Sequence, residues 1–190
     1  MRKLIVFNQV SLDGYIADAK GDMSWAHKSD PEWNAFASQN ASGDGILLFG
    51  RVTYDMMAAW WPTPAALQAM PAVAEGMNRM QKVVFSRTMR KASWQNTTLV
   101  KDDVAGAVRR MKDGSGPGMV ILGSGSIVAQ LTQAGLIDEY QMVLNPVVLG
   151  GGKTMFAGLK DKVALRLTST KPFKNGNVVL CYDRVASVSG

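Results

Sequence analysis

Three short stretches of this chain carry residue types suited to holding phosphate. Met119-Val120-Ile121-Leu122 is an apolar run that stops at Gly123-Ser124-Gly125-Ser126, after which Ile127, Val128 and Leu131 recur at helical spacing. That pattern predicts a buried strand, a tight glycine turn and the first turn of a helix. Such a junction aims unpaired backbone N–H groups at one point, with the positive end of the helix dipole behind them. With no Cβ at Gly123 or Gly125 a diphosphate can approach the backbone closely. Ser124 or Ser126 can cap the helix or donate to a phosphate oxygen. The second stretch, Gly50-Arg51-Val52-Thr53, ends the apolar run Ile46 to Phe49 and opens another helix. The third, Ser86-Arg87, closes the run Lys82 to Phe85. In parallel α/β sheets ligands bind beyond the carboxyl ends of the strands. Glycines, hydroxyls and two guanidinium groups at three strand ends therefore suit two separated phosphate groups. Arg51 and Arg87 can grip a ribose 2′-phosphate in the two-pronged manner of guanidinium, which favours NADPH over NADH. Each piece also has a plain structural reading. GSGS is an ordinary strand-to-helix turn, and either arginine alone is an ordinary surface cation.

These stretches need elements to position them. Lys3 to Val10 reads as a strand apolar on both faces, and so central in its sheet. Ser11 to Ala17 follows as a loop, with Asp13-Gly14 as turn chemistry. Asp30 before Pro31 starts a helix that carries Trp33, Phe36 and Ala37 on one face. The helix opened at Arg51 carries Tyr54, Met56, Met57 and Trp60, and Trp61 to Pro64 breaks it. A short helix runs from Pro71 toward Met80. Thr98 to Val100 is a short strand, and Val104, Val108 and Met111 mark an amphipathic helix. Glu139 to Leu144 and Val147 to Leu149 read as extended, split by Asn145-Pro146. Val163 to Lys171 and Val178 to Asp183 alternate with a period of two about Lys174-Asn175-Gly176-Asn177, a strong hairpin signal. Strands alternating with helices to about residue 140, then consecutive strands, predict an α/β fold. Its sheet is mostly parallel with an antiparallel C-terminal hairpin. No repeat or linker divides residues 1–190, so a single domain is expected.

Composition narrows the classes. The chain has 190 residues, 47% hydrophobic and 19% charged, with a net charge of +6. The basic residues are scattered and no aromatic-interleaved basic stripe appears, which argues against a nucleic-acid partner. No apolar run approaches the roughly 18 residues of a membrane helix, and the start of the chain lacks a signal peptide pattern, so a cytoplasmic protein is expected. One cysteine and one histidine, His27, make a metal site improbable. The H-x-E…P-C-x-x-C signature of zinc deaminases is absent. The twelve methionines, with Trp60 and Trp61, read as core or pocket wall.

The order SLDGYIA, GRVTYDMM, VVFSR, ILGSGSIVAQL and LIDEYQMVLNPVVLGGGKTMF resembles the dihydrofolate reductase superfamily across roughly Lys3 to Tyr182. It is most similar to the reductase domain of bacterial riboflavin biosynthesis, the RibD C-terminal domain type. The resemblance implies a dihydrofolate reductase-like three-layer fold with an eight-stranded mixed sheet, and NADPH as hydride donor. It assigns Gly50, Arg51 and Thr53 to the cofactor phosphates. It places Ser86 and Arg87 on the adenosine 2′-phosphate side, and Gly123, Ser124, Gly125, Ser126 and Ile127 on the pyrophosphate. Ile16 and Ala17 would line the nicotinamide. Folate reductases carry a carboxylate five residues after a tryptophan, and here Asp30 follows Trp25 at that distance. Asp30 is thus a candidate for holding the substrate ring or relaying its proton, beside its reading as a helix cap. Asp13, in SLDG, either touches substrate or closes its turn. The expected substrate is a small heteroaromatic molecule, a pteridine or a ribosylaminopyrimidine such as 5-amino-6-(5-phosphoribosylamino)uracil. A true dihydrofolate reductase and a nucleotide-binding module without catalysis are the alternatives. A homodimer with its seam along Glu139 to Leu149 is a further expectation.

Overall fold

A computed structural model describes residues 1–26, 30–41 and 43–185; His27 lies outside them. Eight strands form one sheet: β1 (Leu4–Ser11), β3 (Ile46–Gly50), β4 (Gln81–Phe85), β5 (Thr97–Val100), β6 (Met119–Leu122), β7 (Glu139–Asn145), β9 (Leu165–Pro172) and β10 (Val178–Arg184). Their spatial order is β5-β4-β3-β6-β1-β7-β10-β9. The pairs from β5 through β7 are parallel, and β10 runs antiparallel to both β7 and β9. Two short strands, β2 (Tyr15–Ala17) and β8 (Lys153–Thr154), pair apart from the sheet. Six α-helices lie among the described residues: α1 (Pro31–Ala41), α2 (Arg51–Trp60), α3 (Pro64–Ala69), α4 (Pro71–Arg79), α5 (Val104–Asp113) and α6 (Gly125–Gln133).

Alternation along β3 explains the three layers. Ile46 and Leu48 turn into a cluster with Val108 of α5 and Ile127 and Leu131 of α6. Leu47 and Phe49 turn the other way, onto Tyr54 of α2 and Val73 and Met77 of α4. Both faces are covered, so β3 must be apolar throughout. A third cluster joins Trp33 of α1 to Val143, Phe173 and Val179, with Phe7 and Phe36 at its edge.

Several expectations are corrected. α2 ends at Trp60, as the Trp61 to Pro64 break implied, but the helix α3 that then begins was not expected; Thr63 caps it and Pro64 takes its first position. Val147 to Leu149 is not a strand. β7 is hydrogen-bonded on both sides, by β1 and β10. The alternation of Val163 to Lys171 implied one buried face, yet every residue of β9 is exposed at the sheet edge. On α2, Met56 and Trp60 are each 45% exposed and so are not core. Lys82 is the reverse case. Its buried ammonium donates to the carbonyl oxygens of Asn78 (3.1 Å), Met80 (2.7 Å) and Gln95 (3.3 Å), 4.4 Å from the centre of the Trp94 ring. Burial lowers its pKa to about 8.

Candidate functional site

β4, β3 and β6 are adjacent and parallel, so the loops after them share one rim. Gly50 and Phe85 are register partners, which puts Arg51 and Ser86 just beyond neighbouring strand ends. The Gly50 N–H donates to Ser124 Oγ at 2.8 Å, and the Ser124 N–H donates to Thr53 Oγ1 at 3.1 Å. Ser124 Oγ in turn donates to the Leu122 carbonyl at 3.1 Å. These bonds tie the start of α2 to the start of α6.

The turn between β6 and α6 is left-handed twice over, at Gly123 (φ 58°) and Ser124 (φ 59°). A Cβ at Gly123 would sit 2.8 Å from Thr53 Cγ2, so only glycine fits. Serine in that conformation is uncommon and costs energy, which marks a place where backbone shape is held against preference. Asn8 of β1 braces the turn from below, donating to the Gly123 carbonyl at 3.1 Å. A Cβ on Gly125 would press on Thr154 O at 3.0 Å and on Ile16 Cδ1 at 3.1 Å, so the β2–β8 ribbon lies directly against the α6 N-terminus.

Helix ends differ across the molecule. Asp30, Thr63 and Asp103 cap α1, α3 and α5 with side-chain oxygens. α2, α4 and α6 have no side-chain cap and no acid in the first turn, and of these α2 and α6 meet at the rim. The first N–H groups of α2 and α6 thus lack a side-chain acceptor from their own caps, and the positive ends of the two dipoles suit an anion at the rim. Arg51 and Arg87 are exposed, and neither has a carboxylate partner among the described residues.

The sequence-derived candidates divide into two kinds. Gly50, Arg51, Ser86, Arg87, Gly123, Ser124, Gly125 and Ser126 fall on the rim loops. Thr53 and Ile127 adjoin them but turn their side chains inward; Thr53 supports Ser124, and Ile127 packs in the core. The Ser86 hydroxyl accepts the Met89 N–H at 3.0 Å and closes the turn after β4. Ile16 adjoins the α6 N-terminus, while Ala17 is buried in the ribbon. Asp13 uses both carboxylate oxygens. It accepts from the Ser11 hydroxyl (2.7 Å), the Leu149 N–H (3.1 Å) and the Gly150 N–H (2.7 Å), which lowers its pKa, the Ser11 bond most. Asp30 uses only one: Oδ1 accepts the Glu32 and Trp33 N–H groups at 2.9 and 3.0 Å, while Oδ2 is buried without a partner among the described residues.

Asn8 and Asn145 were missed as parts of this region. Asn8 stood as the end of an apolar run and Asn145 as a break before Pro146. Their signal was amides interrupting strands that otherwise read as apolar. No helix among the described residues is long and apolar enough to cross a membrane, and those residues hold no group of three His, Cys, Asp or Glu suited to a metal ion.

The fold is that of the dihydrofolate reductase-like α/β proteins. The RibD C-terminal domain model matches residues 2–179, and the chain belongs to that family of reductase-like domains. Among curated proteins it is 27% identical over 183 residues to an uncharacterized Bacillus subtilis (strain 168) protein, YyaP, covering 95% of this chain and 94% of that one. A solved protein from Shewanella sp. PV-4, named for riboflavin biosynthesis, has a TM-score of 0.73 at 24% identity, covering 97% of this chain and 99% of that one. Dihydrofolate reductase from Enterococcus faecalis, complexed with NADP(H), has a TM-score of 0.66 at 16% identity, with 97% of each chain covered. At these identities the structural likenesses establish the fold.

Proposed function

We propose that this chain is an NADPH-dependent reductase of a small pteridine- or ribosylaminopyrimidine-like molecule. The observation that carries the reading is the pair of uncapped helix N-termini, α2 and α6, laced together through Gly50, Thr53 and Ser124 at one rim. The residues fit the cofactor. Gly123 and Gly125 keep the backbone bare, and Arg51 and Arg87 offer unpaired charge. Backbone N–H groups of Gly125 and Ser126 would hold the pyrophosphate, with Gly50 and Arg51 across from them. Thr53 and Ile127 would keep that turn in shape. Ser86 and Arg87 would take the 2′-phosphate, and Ile16 and Ala17 would border the nicotinamide.

When bound, NADPH supplies a hydride. Reducing a C=N bond also needs a proton on nitrogen. Asp30 Oδ2, the unspent oxygen of the residue that caps α1, would hold the ring nitrogen or pass that proton through a water. Asp13, fully engaged, would shape the loop instead. The test is titration of the purified protein with NADPH, followed by single-turnover oxidation against dihydrofolate and the phosphoribosylaminouracil. Binding that weakens by roughly 1.5–3 kcal/mol in Arg51→Ala supports the reading. No NADPH binding by the unaltered protein defeats it, and binding without turnover leaves only a nucleotide module.

A further inference from the structure

Two amides on the α1 side of the sheet fix one another in a way the reading above does not use. Asn145, fully buried at the end of β7, gives its amide hydrogens to the Val143 carbonyl at 3.0 Å and to Gln9 Oε1 at 2.8 Å. A third approach, to the Val10 carbonyl, is longer at 3.4 Å. The Val143 bond settles which end of Asn145 is the donor. Gln9 must then offer its oxygen to Asn145, and its own NH2 points away with no protein partner among the described residues. Gln9 is only half-buried, so that donor is reachable. Gln9 lies in register with Val143, which packs with Trp33 of α1. Asp30, with its unpartnered Oδ2, heads the same helix. The neighbourhood keeps other unmet amide atoms: Asn145 Oδ1 and both polar atoms of Asn177, the next cross-strand position after Val178 and Leu144. Buried groups left this way cost stability, so this polar island is retained at a loss.

We infer that Gln9 orients the substrate by donating from its amide to a ring carbonyl, with Asn145 as the residue that positions it. The inference rests on the reductase reading and narrows its substrate. A fixed donor and a half-used carboxylate on one face suit a ring carrying a carbonyl and a ring N–H, as in a pyrimidinedione. A ring with amino groups in place of carbonyls would face donor with donor.

The experiment uses 5,6-diaminouracil and 2,4,5,6-tetraaminopyrimidine as probes, each titrated by tryptophan fluorescence with NADPH present. The unaltered protein is expected to favour the diaminouracil by about tenfold, the scale of one hydrogen bond. Gln9→Glu exchanges donor for acceptor and should erase or reverse the preference. Gln9→Met keeps length without polarity and should bring the two probes to parity, and Asn145→Ser, which frees Gln9 to turn, should narrow the gap. Equal or absent binding of both probes by the unaltered protein, or a preference that survives both Gln9 variants, overturns the assignment. A parallel NADPH titration separates the two failures. Intact NADPH binding with an unchanged preference removes Gln9 alone, whereas absent NADPH binding removes the reductase reading.

Discussion

Asp13 Oδ2 accepts the backbone N–H of Gly150 at 2.7 Å, clasping two loops 137 residues apart in sequence. The same carboxylate takes the Ser11 hydroxyl and the Leu149 N–H. These bonds favour the ionised form and lower its pKa from 3.8. A depressed acid contributes above its unfolded pKa and loses that contribution as pH falls through the folded value. The Leu149 and Gly150 amide resonances should therefore hold steady from pH 5 to 8 and shift only below about pH 4. In Asp13→Asn that acid-side shift should vanish. A shift that persists in the variant would assign the clasp to another group.

Asp30 can be divided into its two oxygens. Asparagine caps a helix about as well as aspartate, so Asp30→Asn should change stability by less than about 0.5 kcal/mol. If Oδ2 carries the proton, the same change should lower turnover by roughly 10²–10⁴-fold. Asp30→Ala should add a loss of about 1 kcal/mol in urea unfolding. Unchanged turnover in Asp30→Asn would reduce this residue to a cap.

The proposed 2′-phosphate role of Arg87 can be tested with the two nicotinamide cofactors. Arg87→Ala should weaken NADPH by roughly 1.5–3 kcal/mol and leave NADH unaffected, since only NADPH carries the extra phosphate. Calorimetric titration with both cofactors reads the difference. Equal weakening of both would move Arg87 away from the 2′-phosphate.

Gly123→Ala places a methyl against Thr53 in a left-handed backbone position. A stability loss of about 1–3 kcal/mol is expected, with weaker NADPH binding as the Ser124 turn shifts. Thermal unfolding and cofactor titration together check it.

Lys82 has a folded pKa of about 8, against 10.5 when unfolded. Between those values the unfolded chain binds more protons, so stability rises with pH, and below pH 8 the burial cost is present in full. Urea unfolding from pH 8 to 10 should show a slope that Lys82→Met removes, bounded by about 1.4 kcal/mol per pH unit.

Much of this was legible in advance because parallel strands buried on both faces leave continuous apolar runs. Ile46 to Phe49 and Met119 to Leu122 announced their strands, and the polar residues following them announced the rim. Partnering was not legible. Nothing local told that Ser124 would brace Gly50 in place of capping its own helix, or that Asn145 would hold Gln9 from 136 residues away. The β2–β8 ribbon is two to three residues per strand, too short for a period to register. The open face of β9 escaped because alternation reports a preference for burial and not whether anything is there to bury against.

The insertion of β3 between β4 and β6 has a consequence for biogenesis. A nascent chain halted before Met119 has made Gly50 and Arg51 but not the strand that flanks them on one side. If the rim holds the proposed cofactor, that cofactor can stabilise only the finished arrangement, so it would act late, as a lock on completed molecules rather than a template for partial ones.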